Sequence, residues 1–312
     1  MLSIWSCKIK TNQMGFPLCT SECSTGAVKR SSRKIPRRHR EKSATPVALL
    51  EAVNTGAVRD ALLATQPGIA VSAAANTAVF TLGYPLLSSG LTEAAIVNAW
   101  LLGCLSLAAL GWRGYIIACT YFALGNAVTK LRIREKQLAG IAERNTGRRT
   151  PSSVYGSASA AIVASTAFLA FSSAGYFSFL PACSAAYVAS FAAKLADTVS
   201  SEIGKGFGRV AILPTTLKGV KPGTEGAVSV EGSIAGLAAG AAMCAGANTI
   251  GLVGSKAAVI VLVAVIIANA GESYLGASAQ GKAEWLSNDV INVLLIFTAA
   301  IIAAGGVLLF DA

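Results

Sequence analysis

Long apolar segments are the feature that most constrains how this chain of 312 residues can fold. A helix needs about 20 mostly apolar residues to cross the hydrocarbon core of a bilayer. Only 13% of the residues are charged, whereas soluble domains carry roughly 25%. We therefore predict an all-α fold, a polytopic transmembrane helical bundle of about six or seven spans with a broken or re-entrant helix and polar glycine-rich loops. The predicted apolar segments are 68–87, 94–110, 114–129, 157–180, 182–204, 233–254, 257–270 and 290–310.

The first 48 residues form a basic leader. They hold ten Lys or Arg but only two acidic residues, Glu22 and Glu41, and so carry most of the net charge of +11. Abundant Ser and Thr without the apolar core of a secretory signal are typical of an organelle transit peptide. We predict a disordered transit peptide at 1–48 and one membrane domain at 49–312; a disordered cytosolic tail is the alternative. Helical spacing of apolar residues in 46–66 predicts a helix along the membrane surface.

A polar stretch at 194–233 interrupts the apolar pattern. Charged groups at membrane depth cost on the order of 2.5 to 3.5 kcal/mol each, so a chain that keeps many of them beside its spans is expected to use them. This stretch combines carboxylates, cations and a glycine-rich turn at 222–226. Carboxylates hold Mg²⁺, cations neutralise phosphate, and backbone N–H groups of glycine-rich loops bind anionic oxygens. These are the ingredients of phosphoryl transfer, so we place the candidate active site here.

The polar stretch supplies three candidate catalytic residues, Asp197, Glu202 and Lys218. Asp197 and Glu202 lie five residues apart, about 140° around a helix, and both reach one site only if the helix unwinds near Gly204. The candidate nucleotide- and phosphate-binding residues are Lys194, Lys205, Arg209, Lys221, Gly223, Thr224, Glu225, Gly226 and Arg132, the last from a basic segment at 130–153.

We predict Mg²⁺ as the cofactor. Its candidate ligands are Asp197 and Glu202, with Asp289 and Glu272 from a second polar stretch at 269–292.

Several patterns are absent from the sequence. The only histidine, His39, lies in the leader, so the membrane domain has no imidazole for acid–base chemistry. The seven cysteines show no CxxC spacing, which argues against a disulfide framework or a zinc site. No aromatic residues interleave the basic run at 33–42, so no nucleic-acid partner is expected. A Walker A motif is also absent.

Non-enzymatic alternatives explain some of the same residues. A polar loop with paired charges between helices needs no catalytic role. A transporter could move ions or protons past Asp197, Glu202 and Glu272. A membrane scaffold would tolerate substitution of the loops. The transporter explains less well why the loop KGVKPGTEG at 218–226 is rich in both Lys and Gly, which approaching anionic oxygens would explain.

Three motifs together resemble one known family: FAAKLADTVSSEIGKGFGR at 191–209, LPTTLKGVKPGTEGAVSVEGSIAGL at 213–237 and EWLSNDVINVL at 284–294. They resemble the integral-membrane family that includes plant and cyanobacterial phytyl-phosphate kinase, a distant relative of phytol and dolichol kinases. The resemblance runs from about residue 61 to the C-terminus. Lys221 stands where the family has a proline, and Ala227 where it has a second glycine.

The resemblance implies a CTP-dependent kinase, or one using another nucleoside triphosphate, that converts phytyl monophosphate to phytyl diphosphate for tocopherol and prenylquinone synthesis. It implies a multi-pass protein of a plastid membrane, with the chloroplast inner envelope expected. The tail of the substrate would lie in a groove between small-residue helices such as 233–254. A phosphate monoester is already an anionic nucleophile, so this reaction needs no general base. A phytol kinase acting on the alcohol is the alternative, with Asp197 as its base.

Overall fold

The computed structural model describes residues 9–11, 17–19, 67–142, 148–224, 226–279 and 287–311. The chain divides into two compact units, Met1–Leu49 and Leu50–Ala312. In the first unit, strand β1 (Ile9–Thr11) pairs antiparallel with strand β2 (Pro17–Cys19). The rest of the predicted leader and the predicted surface helix at 46–66 lie outside the described residues.

The second unit is a bundle of apolar helices. Among the described residues, six helices are long and apolar enough to cross a membrane, and α1 with α2, bent by 77°, gives a seventh as a broken span. The predicted helical membrane bundle is therefore confirmed. The helices are α1 (Ile69–Leu82), α2 (Tyr84–Gly90), α3 (Glu93–Lys130), α4 (Ile133–Leu138), α5 (Pro151–Ser173), α6 (Leu180–Phe207), α7 (Val230–Thr249), α8 (Ser255–Ala279) and α9 (Asn288–Phe310).

Helix α3 is broken at Gly111, whose φ of 62° and ψ of −161° are not helical. The side chain of Asn126, near the end of α3, packs against Gly90, which precedes its start. A straight helix of 38 residues would be about 57 Å long and could not bring these residues together. The chain therefore doubles back at Gly111 to form two antiparallel arms, 93–110 and 112–130. These arms correspond to the second and third predicted apolar segments.

The boundary between α5 and α6 differs from the prediction. The predicted segments 157–180 and 182–204 are divided at Pro181, where a proline is expected to end a helix, but α5 already ends at Ser173 and a 3-10 turn, Phe177–Phe179, follows it. Pro181 instead lies in the first turn of α6. Proline is favoured there because the first N–H groups of a helix have no partner within it.

Helix α6 is the central helix of the bundle and packs against α3, α5, α7, α8 and α9. Its neighbour α7 has a glycine every fourth residue, Gly232, Gly236 and Gly240, along one face. A β-carbon on Gly236 would lie 2.6 Å from the carbonyl oxygen of Ala196 on α6. Glycine thus allows the two backbones to approach closely. This face of α7 is filled by α6, so the groove predicted within 233–254 does not lie here.

The glycine-rich loop after α6 contains a small sheet that the sequence did not predict. Strands β3 (Ala211–Ile212), β4 (Gly219–Val220) and β5 (Val228–Ser229) pair antiparallel in the order β4-β3-β5. Each strand has two residues, too few for an alternating pattern to be recognised. The sheet gives this polar loop a fixed shape beside the end of α6.

Candidate active site

The candidate site lies at the end of the bundle where α6 and α8 finish and α9 begins. Asn269 of α8 donates a hydrogen bond of 3.3 Å to the carbonyl oxygen of Ala193 on α6, and Gly226 of the glycine-rich loop packs against Ala277 near the end of α8. The basic segment and the second polar stretch meet the bundle at this same end. Polar segments that are separate in sequence therefore share one region of the molecule.

Lys194 of α6 is the centre of a buried polar cluster. Its Nζ donates to Oδ2 of Asp197 at 2.5 Å and to Oδ1 of Asn292 on α9 at 2.8 Å. Lys194 is only 7% exposed. An ammonium group at this depth is tolerated only when its charge and its N–H groups have partners. We call Lys194, Asp197 and Asn292 the Lys194 cluster.

Glu272 and Asp289, two of the four predicted metal ligands, lie close to the Lys194 cluster. Glu272 of α8 is near enough to Asp197 and Lys194 for the three charges to act on one another. Asp289 lies in the first turn of α9, one turn before Asn292, and packs beside Gly156 of α5. The second polar stretch therefore contributes to the same region as Asp197, as the sequence predicted.

Glu202 does not share a site with Asp197, and the predicted set of four metal ligands is not brought together. Helix α6 continues to Phe207 without unwinding near Gly204, so the two carboxylates project from different sides of it. Glu202 Oε2 accepts from Lys136 of α4, and Oε1 accepts from Lys205 at 3.4 Å. Two ammonium partners oppose the approach of a divalent cation. Glu202 therefore has a structural ion-pairing role in place of the predicted metal-binding one.

Within the described ranges, no group of three or more His, Cys, Asp or Glu side chains could hold a metal ion. Mg²⁺ is commonly held by only one or two carboxylates together with substrate phosphates and water. Asp197 and Glu272 would fit this arrangement. Of the Asp197 oxygens, Oδ1 has no hydrogen-bond partner among the residues that the structure describes, while Oδ2 is bound to Lys194.

The basic segment after α3 is fixed to the end of α6 by Arg132 as well as by Lys136. Arg132 Nη1 donates to the carbonyl oxygen of Gly206 at 2.7 Å, and its guanidinium lies 4.8 Å from the ring centre of Phe207. Carbonyl groups at the C-terminal end of a helix carry partial negative charge, which favours nearby cations. Arg132 also pairs with Glu135. Arg132 therefore holds the basic segment against the end of α6. The phosphate contact predicted from the sequence would be a second role of this residue.

The glycine-rich loop has the turn that its sequence predicts. Thr224 N donates to the carbonyl oxygen of Lys221 at 3.2 Å, and Gly223 has a φ of 91°. Pro222 followed by a glycine with positive φ is the signature of a type II turn. Gly223 also packs against Ile141 of the basic segment, so the loop is held between this segment and α8.

Three predicted cations of the loop are exposed, namely the candidate catalytic residue Lys218 and the candidate phosphate-binding residues Arg209 and Lys221, and Lys205 is partly exposed. The Arg209 backbone N–H donates to Glu231 at 3.4 Å. Thr224 uses its hydroxyl within the turn, donating to the carbonyl oxygen of Lys221 at 2.8 Å. Glu225 lies outside the described residues. The three exposed cations are free to meet an anionic ligand in solvent, but they do not contact the Lys194 cluster directly.

An apolar cavity of about 280 Å³ lies beside the Lys194 cluster, between α1, α2, the two arms of α3, α5 and α6. Arg149 is the charged residue in its wall. Arg149 donates to the hydroxyl of Tyr121, whose ring lies 5.3 Å from that of Phe191 on α6. Lys194 follows Phe191 by one helical turn, and its charge and that of Arg149 act on each other. The cavity thus combines an apolar wall with a cationic boundary.

A second cavity, of about 610 Å³, lies at the opposite end of α6, α8 and α9. Its wall includes Ser184, Asn248, Ser255 and Asp311, and no Lys, Arg or His is among the described residues that form it. Without a cation it does not suit a phosphate group. The smaller cavity beside Lys194 is therefore the candidate substrate site.

Sequence reasoning missed the roles of Lys136, Tyr121 and Asn292, and from the basic segment it selected Arg132 and not Arg149. Asn292 belongs to the third motif quoted above, and Arg149 and Lys136 belong to the basic segment, so each carried a weak signal. Tyr121 carried none, because a tyrosine within an apolar span is ordinarily a packing residue. Their importance depends on contacts between residues far apart in sequence, such as Lys194 and Asn292, which are 98 positions apart.

Comparison with known proteins agrees with the fold and the motifs. Protein VTE6, chloroplastic, of Arabidopsis thaliana is 41% identical over 258 residues, covering 82% of this chain and 77% of that protein. The uncharacterized membrane protein sll0875 of Synechocystis is 45% identical over 208 residues, covering 67% of this chain and 79% of that protein. No solved structure matches. The sequence profile of the family described as integral membrane protein DUF92 matches residues 76–300, and the chain belongs to this family.

Proposed function

We propose that this protein is a phytyl-phosphate kinase, which transfers the γ-phosphoryl group of a nucleoside triphosphate, CTP in the first place, to phytyl monophosphate. The observation that carries the proposal is the Lys194 cluster, a buried ammonium with a carboxylate beside an apolar cavity. An isoprenoid phosphate has the matching form, an apolar tail with an anionic head. The three motifs that resemble the kinase family, and the extent of the similarity to the plant relative, support the same reaction.

The transfer makes one bond and breaks one bond. An oxygen of the phytyl phosphate attacks the γ-phosphorus, and the bond between that phosphorus and the bridging oxygen of the β-phosphate breaks. The products are phytyl diphosphate and the nucleoside diphosphate. The attacking oxygen is already ionised, so no side chain has to remove a proton. This fits a site whose carboxylate, Asp197, is bound to Lys194.

Repulsion between two anionic substrates is the main barrier that the protein has to lower. Arg149, which lies in the cavity wall, and Lys194, one helical turn from Phe191 of that wall, would neutralise the acceptor phosphate from the side of the bundle. Lys218 and Lys221 would meet the nucleotide phosphates from the side of the loop, where both are exposed. The donor and the acceptor would therefore approach from different sides of the Lys194 cluster.

Asp197 and Glu272 would hold Mg²⁺ in this proposal. The bound ion would supply positive charge to the transferring phosphoryl group. Lys194 would hold Asp197 in a fixed orientation through the bond of 2.5 Å between them. Asn292 would in turn fix Lys194 from α9.

We further propose that the protein acts in a plastid membrane, and that residues 1–48 are its transit peptide. The name of the Arabidopsis relative describes it as chloroplastic, and the leader has the composition of a transit peptide. Basic loops usually stay on the side from which a membrane protein is inserted. The end of the bundle with the candidate site would then face the stroma, where nucleotide is dissolved.

The proposal is tested by incubating the purified protein in lipid nanodiscs with phytyl phosphate or phytol, each with CTP, ATP, GTP or UTP, and identifying the products by mass spectrometry. Phytyl diphosphate from phytyl phosphate is the expected product, with CTP the best donor. Phytyl monophosphate formed from phytol, without turnover of phytyl phosphate, would instead identify a kinase of the alcohol. No phosphorylated product from either acceptor would reject both activities.

A further inference from the structure

The cavity beside the Lys194 cluster has the character of a binding site for an amphiphile with one tail. Its wall is built almost wholly from aliphatic, aromatic and small side chains, such as Phe80, Leu87, Leu102 and Phe122. Arg149 is the exception. Among the described residues of the wall, Arg149 is the one cation, which suits a ligand that has one anionic group at the end of a hydrocarbon chain.

We infer that this cavity binds the acceptor, with its phosphate head at Arg149 and Lys194 and the adjoining part of its tail between α1, α2 and the arms of α3. The identity of the acceptor as an isoprenoid monophosphate rests on the proposed function. Arg149 is a binding residue in this assignment, because guanidinium groups bind phosphate oxygens with two parallel N–H groups. Its bond to the Tyr121 hydroxyl orients it at the cavity wall.

The bent pair α1 and α2 forms an exposed apolar side of the cavity, which we place toward the membrane. Val79 and Leu86, which lie on either side of the bend, belong to the cavity wall and are 40% and 52% exposed. An isoprenoid phosphate dissolved in the bilayer can therefore enter sideways, with its tail remaining in an apolar environment throughout. A cavity of about 280 Å³ lies at the small end of ligand pockets. It holds the proximal part of a long tail, and the remainder lies in lipid.

Cys119 allows occupancy to be measured without turnover. It lies in the wall of the cavity and is exposed, whereas Cys104, Cys183 and Cys244 of the same bundle are buried. A bound tail should therefore shield Cys119 from alkylation. The experiment treats the full-length protein in nanodiscs with N-ethylmaleimide and follows modification of the Cys119 peptide by mass spectrometry, with phytyl phosphate, phytol, geranyl phosphate or inorganic phosphate present and no nucleotide.

Phytyl phosphate is expected to protect Cys119 at a concentration about tenfold lower than phytol, since a charge-assisted hydrogen bond contributes about this much. Geranyl phosphate, with half the tail, should protect nearly as well because the distal tail lies in lipid in either case. Inorganic phosphate should not protect. Failure of phytyl phosphate to protect would overturn the assignment of the cavity, and failure of geranyl phosphate alone would overturn the claim that only the proximal tail is enclosed.

Arg149→Gln tests the position of the head. In this variant, phytyl phosphate and phytol should protect Cys119 at similar concentrations. Continued protection by phytol would show that the cavity is still formed. Arg149→Lys, which keeps the charge, should recover part of the advantage of phytyl phosphate over phytol. If Arg149→Gln still distinguishes the two ligands as the wild type does, Arg149 is not the head-group residue.

Ala118→Phe tests the position of the tail by filling the cavity from its wall. It should abolish protection by phytyl phosphate. The matched control is Val259→Phe, which adds the same ring at a position of α8 that is 63% exposed and outside the cavity. Retained protection in Ala118→Phe would place the tail elsewhere.

The cavity assignment and the proposed reaction can fail separately. Protection of Cys119 without any phosphorylated product would reject the reaction and leave the binding site in place. Formation of phytyl diphosphate without protection of Cys119 would reject the binding site and leave the reaction in place.

Discussion

Lys136 of α4 and Glu202 of α6 form an ion pair in which each side chain is only 1% exposed. Lys136 Nζ also donates to the carbonyl oxygen of Thr129 at 2.8 Å. This pair connects the basic segment to the end of the central helix, next to the contact of Arg132 with Gly206. The segment in turn supports Gly223 of the glycine-rich loop through Ile141. Glu202, which was predicted from the sequence as a metal ligand, thus anchors the basic segment to α6.

Glu202→Gln should destabilise the protein by about 3 to 5 kcal/mol, because it leaves the buried ammonium of Lys136 without a full counter-charge. The thermal unfolding midpoint of the detergent-solubilised protein measures this effect. The double variant Lys136→Met with Glu202→Gln should lose less than the sum of the single variants, since neither charge is then left alone. If the midpoint of Glu202→Gln is unchanged and the variant needs a higher Mg²⁺ concentration for activity, Glu202 is a metal ligand after all.

Lys218→Ala should raise the KM for the nucleotide about tenfold and leave the KM for phytyl phosphate unchanged. The expected size is that of one lost hydrogen bond to a charged group. Lys256→Ala is the matched control, because Lys256 is also an exposed lysine but lies at the start of α8, away from the candidate site. If the two variants have the same KM for the nucleotide, the loop has only a structural role.

Gly236→Ala should lower stability by about 1 to 3 kcal/mol, since the added methyl group overpacks the contact with α6. The β-carbon would lie 2.6 Å from the carbonyl oxygen of Ala196. Gly246→Ala, in the same helix but with no atom within 4 Å of the added carbon, should be neutral or stabilising because alanine favours helix. Thermal unfolding of the two variants side by side makes the comparison. Equal midpoints would mean that α6 and α7 are not closely packed at Gly236.

The sequence was sufficient to predict features that depend on local chemistry. Apolar segments of sufficient length predicted the helical bundle, because lipid offers the backbone no other hydrogen-bond partners. Pro222 and Gly223 predicted a turn, because the positive φ of Gly223 is disfavoured for other residues. Lys194 and Asp197, both named as site residues from the sequence, lie together in the Lys194 cluster.

Features that depend on distant partners could not be predicted in this way. Lys136 and Glu202 are 66 positions apart, and nothing in their local sequence indicates that they pair. Asp197 and Glu202 were expected to share one site because the helix was predicted to unwind at Gly204. That prediction was wrong, since a glycine within a helix does not by itself unwind it. Gly204 instead packs closely against Ser229. A β-carbon added at Gly204 would lie 3.0 Å from the hydroxyl oxygen of Ser229. A glycine in a membrane helix is often a packing residue.

In the proposed reaction, Asp197 belongs to the site that transfers a phosphoryl group to an isoprenoid monophosphate. This role is tested most directly by incubating wild-type protein and Asp197→Asn in nanodiscs with phytyl phosphate, Mg²⁺ and CTP labelled with ¹⁸O in the γ-phosphoryl group, and analysing the lipid product by mass spectrometry. The wild-type protein should form phytyl diphosphate that carries the label in its terminal phosphoryl group. Asp197→Asn should give at least about a hundredfold less of this product per amount of folded protein, with unchanged membrane insertion. Labelled product at the wild-type rate from Asp197→Asn, or no labelled product from the wild type, would contradict this role.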